Sequence, residues 1–135
     1  HARGSGLVVA VENMPPGVHP GSRMKDLAGL LEELDRPELG LTIDVGHAHL
    51  VGDVPGETLA AGARLVTTHV HDNDGRQDAH HPPGRGGVDW PSWFAALDAI
   101  GYDGPIMLEC IKRIRADRSV YDRELFRPFL RDEAR

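Results

Sequence analysis

Four short runs of the chain are apolar almost from end to end: LVVAVE at 7–12, LGLTIDV at 39–45, LVTTHVH at 65–71 and PIMLEC at 105–110. They are rich in Val, Ile and Leu and bounded by Gly, Pro, Asp or Asn, which predicts strands. Between them the apolar positions recur at helical spacing. In RMKDLAGLLEELD, 23–35, Met24, Leu27, Leu30, Leu31 and Leu34 fall on one face, and Pro37 stops the helix. ETLAAGAR, 57–64, predicts a shorter helix, and PSWFAALDA, 91–99, begins on a proline suited to a first turn, with Gly101 just past its end. A last helix is expected over SVYDRELFRPFLR, 119–131, where Pro128 interrupts the pattern. The order is strand then helix, four times. Continuous apolar strands alternating with helices predict an α/β fold with a parallel, helix-covered sheet. Four such units make either a small open sheet or half of a (β/α)8 barrel.

Polar residues within the strands decide between the two. Strand side chains alternate between faces, so residues of one parity share a side. One face carries Val8, Ala10 and Glu12, then Thr42 and Asp44, then Thr67, His69 and His71, then Met107 and Glu109. Each strand thus ends in a carboxylate or an imidazole and runs into a loop. Sites in (β/α)8 barrels are assembled from such C-terminal strand ends. Buried charges without partners cost several kcal/mol, so four independent strands ending this way imply a common positive partner. A divalent cation suits a set of carboxylate oxygens and imidazole nitrogens. Acid-rich ligation with one imidazole leans toward Mn or Mg, and additional imidazoles pull toward Zn.

Composition adjusts this picture in a few places. The 135 residues suffice for one domain, 1–135, and the sequence shows no linker or close repeat. A net charge of −6 without a basic block argues against a nucleic-acid partner. No apolar run is long enough to span a membrane, and the one cysteine, Cys110, suits a reducing compartment, so a cytoplasmic location is expected. The chain starts at His1 rather than Met, which suggests a fragment or a processed chain. Of eight histidines, seven lie between His19 and His81. His47 follows Asp44 by three residues on what reads as a loop, and Asp78 and His80 alternate in DAHH as a chelating pair would. PPGRGG, 82–87, supplies a rigid turn and then glycines that let the backbone pass close to a ligand. It lacks the arrangement of a phosphate-binding P-loop.

Taken together, VENMP (11–15), IDVGHAH (43–49), VHDNDG (70–75), DAHHPPGRG (78–86), DW (89–90) and LEC (108–110) resemble the xylose isomerase-like (β/α)8 superfamily of sugar-phosphate isomerases and epimerases, to which the AP endonucleases of the endonuclease IV type are related. The resemblance covers strands five to eight, the C-terminal half. It implies a metal held by Glu12, Asp44, His71 and Glu109, with His69 the alternative to His71. It also implies Glu12 and Glu109 as the proton-moving residues of an isomerase or epimerase working through an enediolate, and His47 as a substrate contact. In the endonucleases, residues placed like His47, Asp78 and His80 bind a further zinc. Family epimerases carry an arginine shortly after the strand-seven histidine. Position 77 here is Gln, which leaves Arg76 and Arg85 nearby, and Arg85 joins His47 and His69 as the expected substrate contacts. The expected partner is a small sugar. Zinc-dependent hydrolysis at abasic DNA is the alternative activity, and an inactive half barrel needing a second half, or a second copy, is a further one.

Overall fold

A computed structural model describes residues 2–116 and Glu124. The helix expected over 119–131 therefore lies outside the described residues, Glu124 excepted. Strands β1 (Val9–Glu12), β2 (Leu39–Asp44), β3 (Leu65–Val70) and β4 (Ile106–Leu108) form one sheet in the order β1-β2-β3-β4. All three pairings are parallel. Helices α1 (Met24–Leu34), α2 (Val45–Val51), α3 (Val54–Ala61), α4 (Trp90–Ala99) and α5 (Ile111–Ala116) fill the connections. Sequential parallel strands with a crossover after each are the arrangement of one half of a (β/α)8 barrel.

The two faces of the sheet differ in chemistry. Leu41, Ile43, Leu65 and Val70 turn toward the helices and are buried with Met24, Leu27, Leu31, Val54, Trp93 and Leu97. Burial of this apolar set, at about 25 cal/mol per Å² removed from water, is the main force holding helices to sheet. The opposite face presents Glu12, Thr42, Asp44, Thr67, His69 and Met107. Leu30 and Leu34, expected on the buried face of α1, remain 39% and 49% exposed, because α1 packs against β2 and α3 and these two leucines fall outside that contact. An irregularity between Leu41 and Thr42 puts Val66 out of step, so Leu41 pairs with Leu65 and Thr42 with Thr67. Only a glycine fits beside it, since a Cβ on Gly40 would sit 2.8 Å from both Val66 methyls.

Two helices depart from expectation. The segment 45–51, read as a loop carrying His47, is helix α2. Its apolar content is too low for a periodicity argument, and it forms because the Asp44 carboxylate accepts from His47 N at 2.7 Å and caps its first turn. Helix α3 starts three residues ahead of the expected 57, since Asp53 Oδ1 caps Gly56 N at 2.9 Å and Pro55 falls in the first turn, where it is tolerated. At its other side, Glu57 joins α3 to α1, accepting from Met24 N at 2.5 Å and from Arg23 Nη1 at 2.8 Å. No helix among the described residues is long and apolar enough to cross a membrane.

Candidate metal centre

The register of the sheet sets the first group of side chains. Asp44 lies beside His69, and His69 beside Met107. Glu12 ends β1 next to Thr42. Glu109 lies one residue past β4 but keeps the ladder through its N–H, which donates to Val70 O at 3.0 Å. As a result both glutamates converge on one nitrogen: Glu12 Oε1 is 3.1 Å and Glu109 Oε1 3.2 Å from His69 Nδ1. That nitrogen is buried without a hydrogen bond, and Glu12, Asp44 and His69 offer ligand atoms within 4.8 Å of one another. Such a donor set, oxygen-rich with one imidazole, fits a divalent cation.

Asp44 is fully buried, and its backbone is fixed by the Asn13 amide, with Asp44 N donating to Asn13 Oδ1 at 2.7 Å and Asn13 Nδ2 to Asp44 O at 3.1 Å. His71 takes a different course from His69. Beyond Val70 the chain leaves the sheet, and the His71 ring tucks beneath α2, so that a Cβ on Gly46 would fall 1.9 Å from His71 Cε1. From there His71 Nε2 reaches Asp44 Oδ1 at 3.0 Å. Burial pushes the Asp44 carboxyl up, but the hydrogen bond and charge of His71, with His47 beside it, outweigh burial and hold the carboxyl below its ordinary range. Burial likewise presses His71 down, while the hydrogen bond and charge of Asp44 and the charge of Asp78 carry it above its ordinary value.

A second group gathers around Asp78, whose side chain is 32% exposed. His47 Nδ1 lies 2.8 Å from Asn13 O, and His80 Nδ1 lies 3.3 Å from Glu109 O. A carbonyl only accepts, so each Nδ1 is the donor in these contacts. Both Nε2 atoms approach the same carboxylate: Asp78 Oδ2 is 3.4 Å from His47 Nε2 and 3.3 Å from His80 Nε2. The triads whose ligand atoms all lie within 4.8 Å of one another here are Asp44, His47 and His71, and His71, His80 and Glu109. The pattern of a ligating imidazole whose other nitrogen donates to a carbonyl is common at metal centres. His71 joins the two groups, its Nε2 3.6 Å from Asp78 Oδ1 and its ring stacked on His80 at 3.9 Å.

All of Glu12, Asp44, His47, His69, His71, Asp78, His80 and Glu109 thus stand at the C-terminal end of the sheet. Arg85 does not join them through its backbone, which forms an exposed turn with Arg85 N donating to Pro82 O at 3.1 Å. Gly86, after that turn, packs against the protein itself. A Cβ on Gly86 would lie 2.3 Å from Asp72 Oδ1 and 2.3 Å from Asn73 O, so the close approach is to protein atoms. Asn13, Asp72 and Asn73, each fully buried, were not singled out from the sequence, although all three stand directly beside strand-end residues in VENMP and VHDND.

Residues 1–129 match the family model described as xylose isomerase-like TIM barrel. The chain belongs to this family. An uncharacterised protein of Methanocaldococcus jannaschii is 32% identical over 134 residues, covering 93% of this chain and 43% of that protein. A ketose 3-epimerase of Arthrobacter globiformis is 36% identical over 81 residues, 58% of this chain and 26% of the enzyme. Among solved structures, a D-tagatose 3-epimerase-like protein superposes with a TM-score of 0.69 at 28% identity, over 85% of this chain and 47% of that one. The chain therefore spans less than half the length of each, and its relatives include sugar 3-epimerases.

Proposed function

We propose that residues 1–135 are one domain, equivalent to strands five to eight of a xylose isomerase-like barrel, and that they supply the metal and proton-transfer groups of a sugar isomerase or epimerase, with a ketose as substrate. The carrying observation is the convergence of Glu12 Oε1 and Glu109 Oε1 on His69 Nδ1, at 3.1 and 3.2 Å. Glu12, Asp44, His69 and Glu109 hold a divalent cation in this reading, Mn or Mg by the character of the donors. His69 takes this place in the reading because its Nδ1 meets both glutamates, whereas His71 Nε2 meets Asp44 and Asp78. When bound, the cation would polarise a substrate carbonyl and its neighbouring hydroxyl and so acidify the intervening C–H bond.

The chain's own groups do the rest. One of Glu12 and Glu109 removes the proton from carbon, and the other returns one to the opposite face, which inverts the centre. His71 orients Asp44, and Asn13 fixes its backbone. His47, its Nδ1 tied to Asn13 O, turns Nε2 toward the space above the strand ends. The sheet offers edges at β1 and β4, which in a barrel are closed by neighbouring strands. A further four strands, from the same polypeptide or from a second copy, are the partner this reading requires.

A second reading, hydrolysis of a phosphodiester at abasic DNA by a multi-zinc site, is favoured by one observation, the His47, Asp78 and His80 nitrogens and oxygens facing one another. Ketose substrates incubated with Mn, Mg or Zn and the chain completed by its four partner strands, followed by chromatography of the sugars, test the first reading. Divalent-dependent formation of the C3 epimer supports it. Nicking of an abasic duplex with no sugar turnover would replace it with the second.

A further inference from the structure

The connection after β4 carries positive charge that neither ligand group uses. Lys112 and Arg113, on α5, are exposed, and among the described residues neither pairs with a carboxylate. Both border a cavity of about 390 Å³, with His80, Glu109, Cys110 and Ile111 also on its wall. That volume falls in the roughly 300–1,000 Å³ range of small-ligand pockets. Since Glu109 belongs to the wall, whatever enters the cavity lies beside the strand-end group.

The other polar members of the wall are already engaged. His80 has Nδ1 3.3 Å from Glu109 O and Nε2 3.3 Å from Asp78 Oδ2, and Glu109 Oε1 lies 3.2 Å from His69 Nδ1. Arg113 uses one donor, Nε, on Ala79 O at 3.1 Å, which ties the guanidinium to the loop that carries His80 and leaves its terminal N–H groups over. Lys112 has no hydrogen-bond or ion-pair partner among the described residues. Two cations without counter-ions beside the apolar surface of Cys110 and Ile111 suit an oxyanion carried on a carbon skeleton. The Glu109 carboxylate repels an anion at its own end, so the oxyanion belongs at the Lys112 and Arg113 end. We propose that the cavity is an oxyanion subsite, in which Lys112 and Arg113 receive a phosphate or carboxylate carried by the ketose while its carbon chain extends toward Glu109. That the oxyanion sits on a ketose rests on the proposed function above. That the cavity takes an oxyanion does not.

Chelator-treated chain is titrated with inorganic phosphate and, separately, with acetate, following the backbone amide NMR signals of residues 79–80 and 109–113. At least one anion should shift these signals saturably. Saturation by phosphate alone supports a phosphorylated ketose, and saturation by acetate alone a ketose acid. Lys112→Gln and Arg113→Gln should each weaken that binding about tenfold or more. Lys112 makes no bond to the loop, so its loss of affinity is not an effect of freeing Ala79. Arg113→Lys keeps the charge without the planar fork and should fall between the unaltered chain and Arg113→Gln. Arg115→Gln removes a charge from the same helix outside the cavity and should change affinity by less than about twofold. Saturation by neither anion would overturn the proposal. So would an equal weakening in Arg115→Gln, because diffuse surface charge would then account for the binding. The titration needs neither metal nor turnover. A chain that binds the anion but epimerises no ketose refutes the proposed function and leaves the subsite standing, and epimerisation without anion uptake does the reverse.

Discussion

The strand-end group and the Asp78 group sit side by side but are made in different ways. Glu12 and Asp44 end their strands, His69 is the last residue but one of β3, and Glu109 follows β4 by one residue, so the ladder that forms the sheet also sets their spacing. Around Asp78, by contrast, His47 comes from a helix turn and His80 from a long connection closed through Asp72. The first group is as rigid as the core beneath it. The second depends on caps and turns, which individually contribute far less than core packing.

The largest effect should come from the two glutamates proposed to move the proton. Glu12→Gln or Glu109→Gln keeps the shape but removes the proposed base, and on the proposed function should lower epimerisation by roughly 10² to 10⁴-fold, read from initial rates at saturating metal. Next is the core under both groups. Leu41→Ala, at a fully buried position, should cost about 2–5 kcal/mol by denaturant unfolding and should weaken both sites together. Gly46→Ala follows, since the new methyl must displace the His71 ring. A loss of about 1–3 kcal/mol is expected, with Asp44 losing its imidazole partner.

The comparison also explains what could be read without a structure. Period-two alternation placed Glu12, Asp44, His69 and Glu109 on one face, because parity in a strand follows from covalent geometry alone. Parity could not separate His69 from His71, which share it; their difference arises where β3 ends at Val70 and the chain bends under α2. Helix α2 was invisible for a related reason. It is only seven residues long, and the polar residue that caps it, Asp44, reads equally well as the end of a strand. Asp72 and Asn73 resemble any polar loop residues until the turn at 82–88 closes over them, and contacts across that many residues leave no periodic trace.

The smallest effects sharpen the contrast. In the metal-free chain, Asp44 lies below its usual 3.8 and His71 above its usual 6.5. A depressed carboxyl contributes stability above 3.8 that is lost as pH falls through its lowered value, and a raised imidazole contributes below 6.5 that is lost as pH rises through its raised value. Thermal melts in chelator should therefore be highest between these limits, and His71→Gln should flatten the alkaline side. Asp53→Ala, remote from both groups, should cost about 1 kcal/mol through loss of the α3 cap and leave metal uptake unchanged by calorimetry.

The account rests on Glu12 and Glu109 exchanging protons with carbon beside a cation held with His69. Deuterium incorporation at C3 of a ketose in D2O, measured by mass spectrometry with and without Mn, addresses this directly. The prediction is Mn-dependent exchange in the barrel that this chain forms with its four partner strands, lost in Glu12→Gln, Glu109→Gln and His69→Ala. Exchange that persists in these variants, or that ignores the metal, would contradict it.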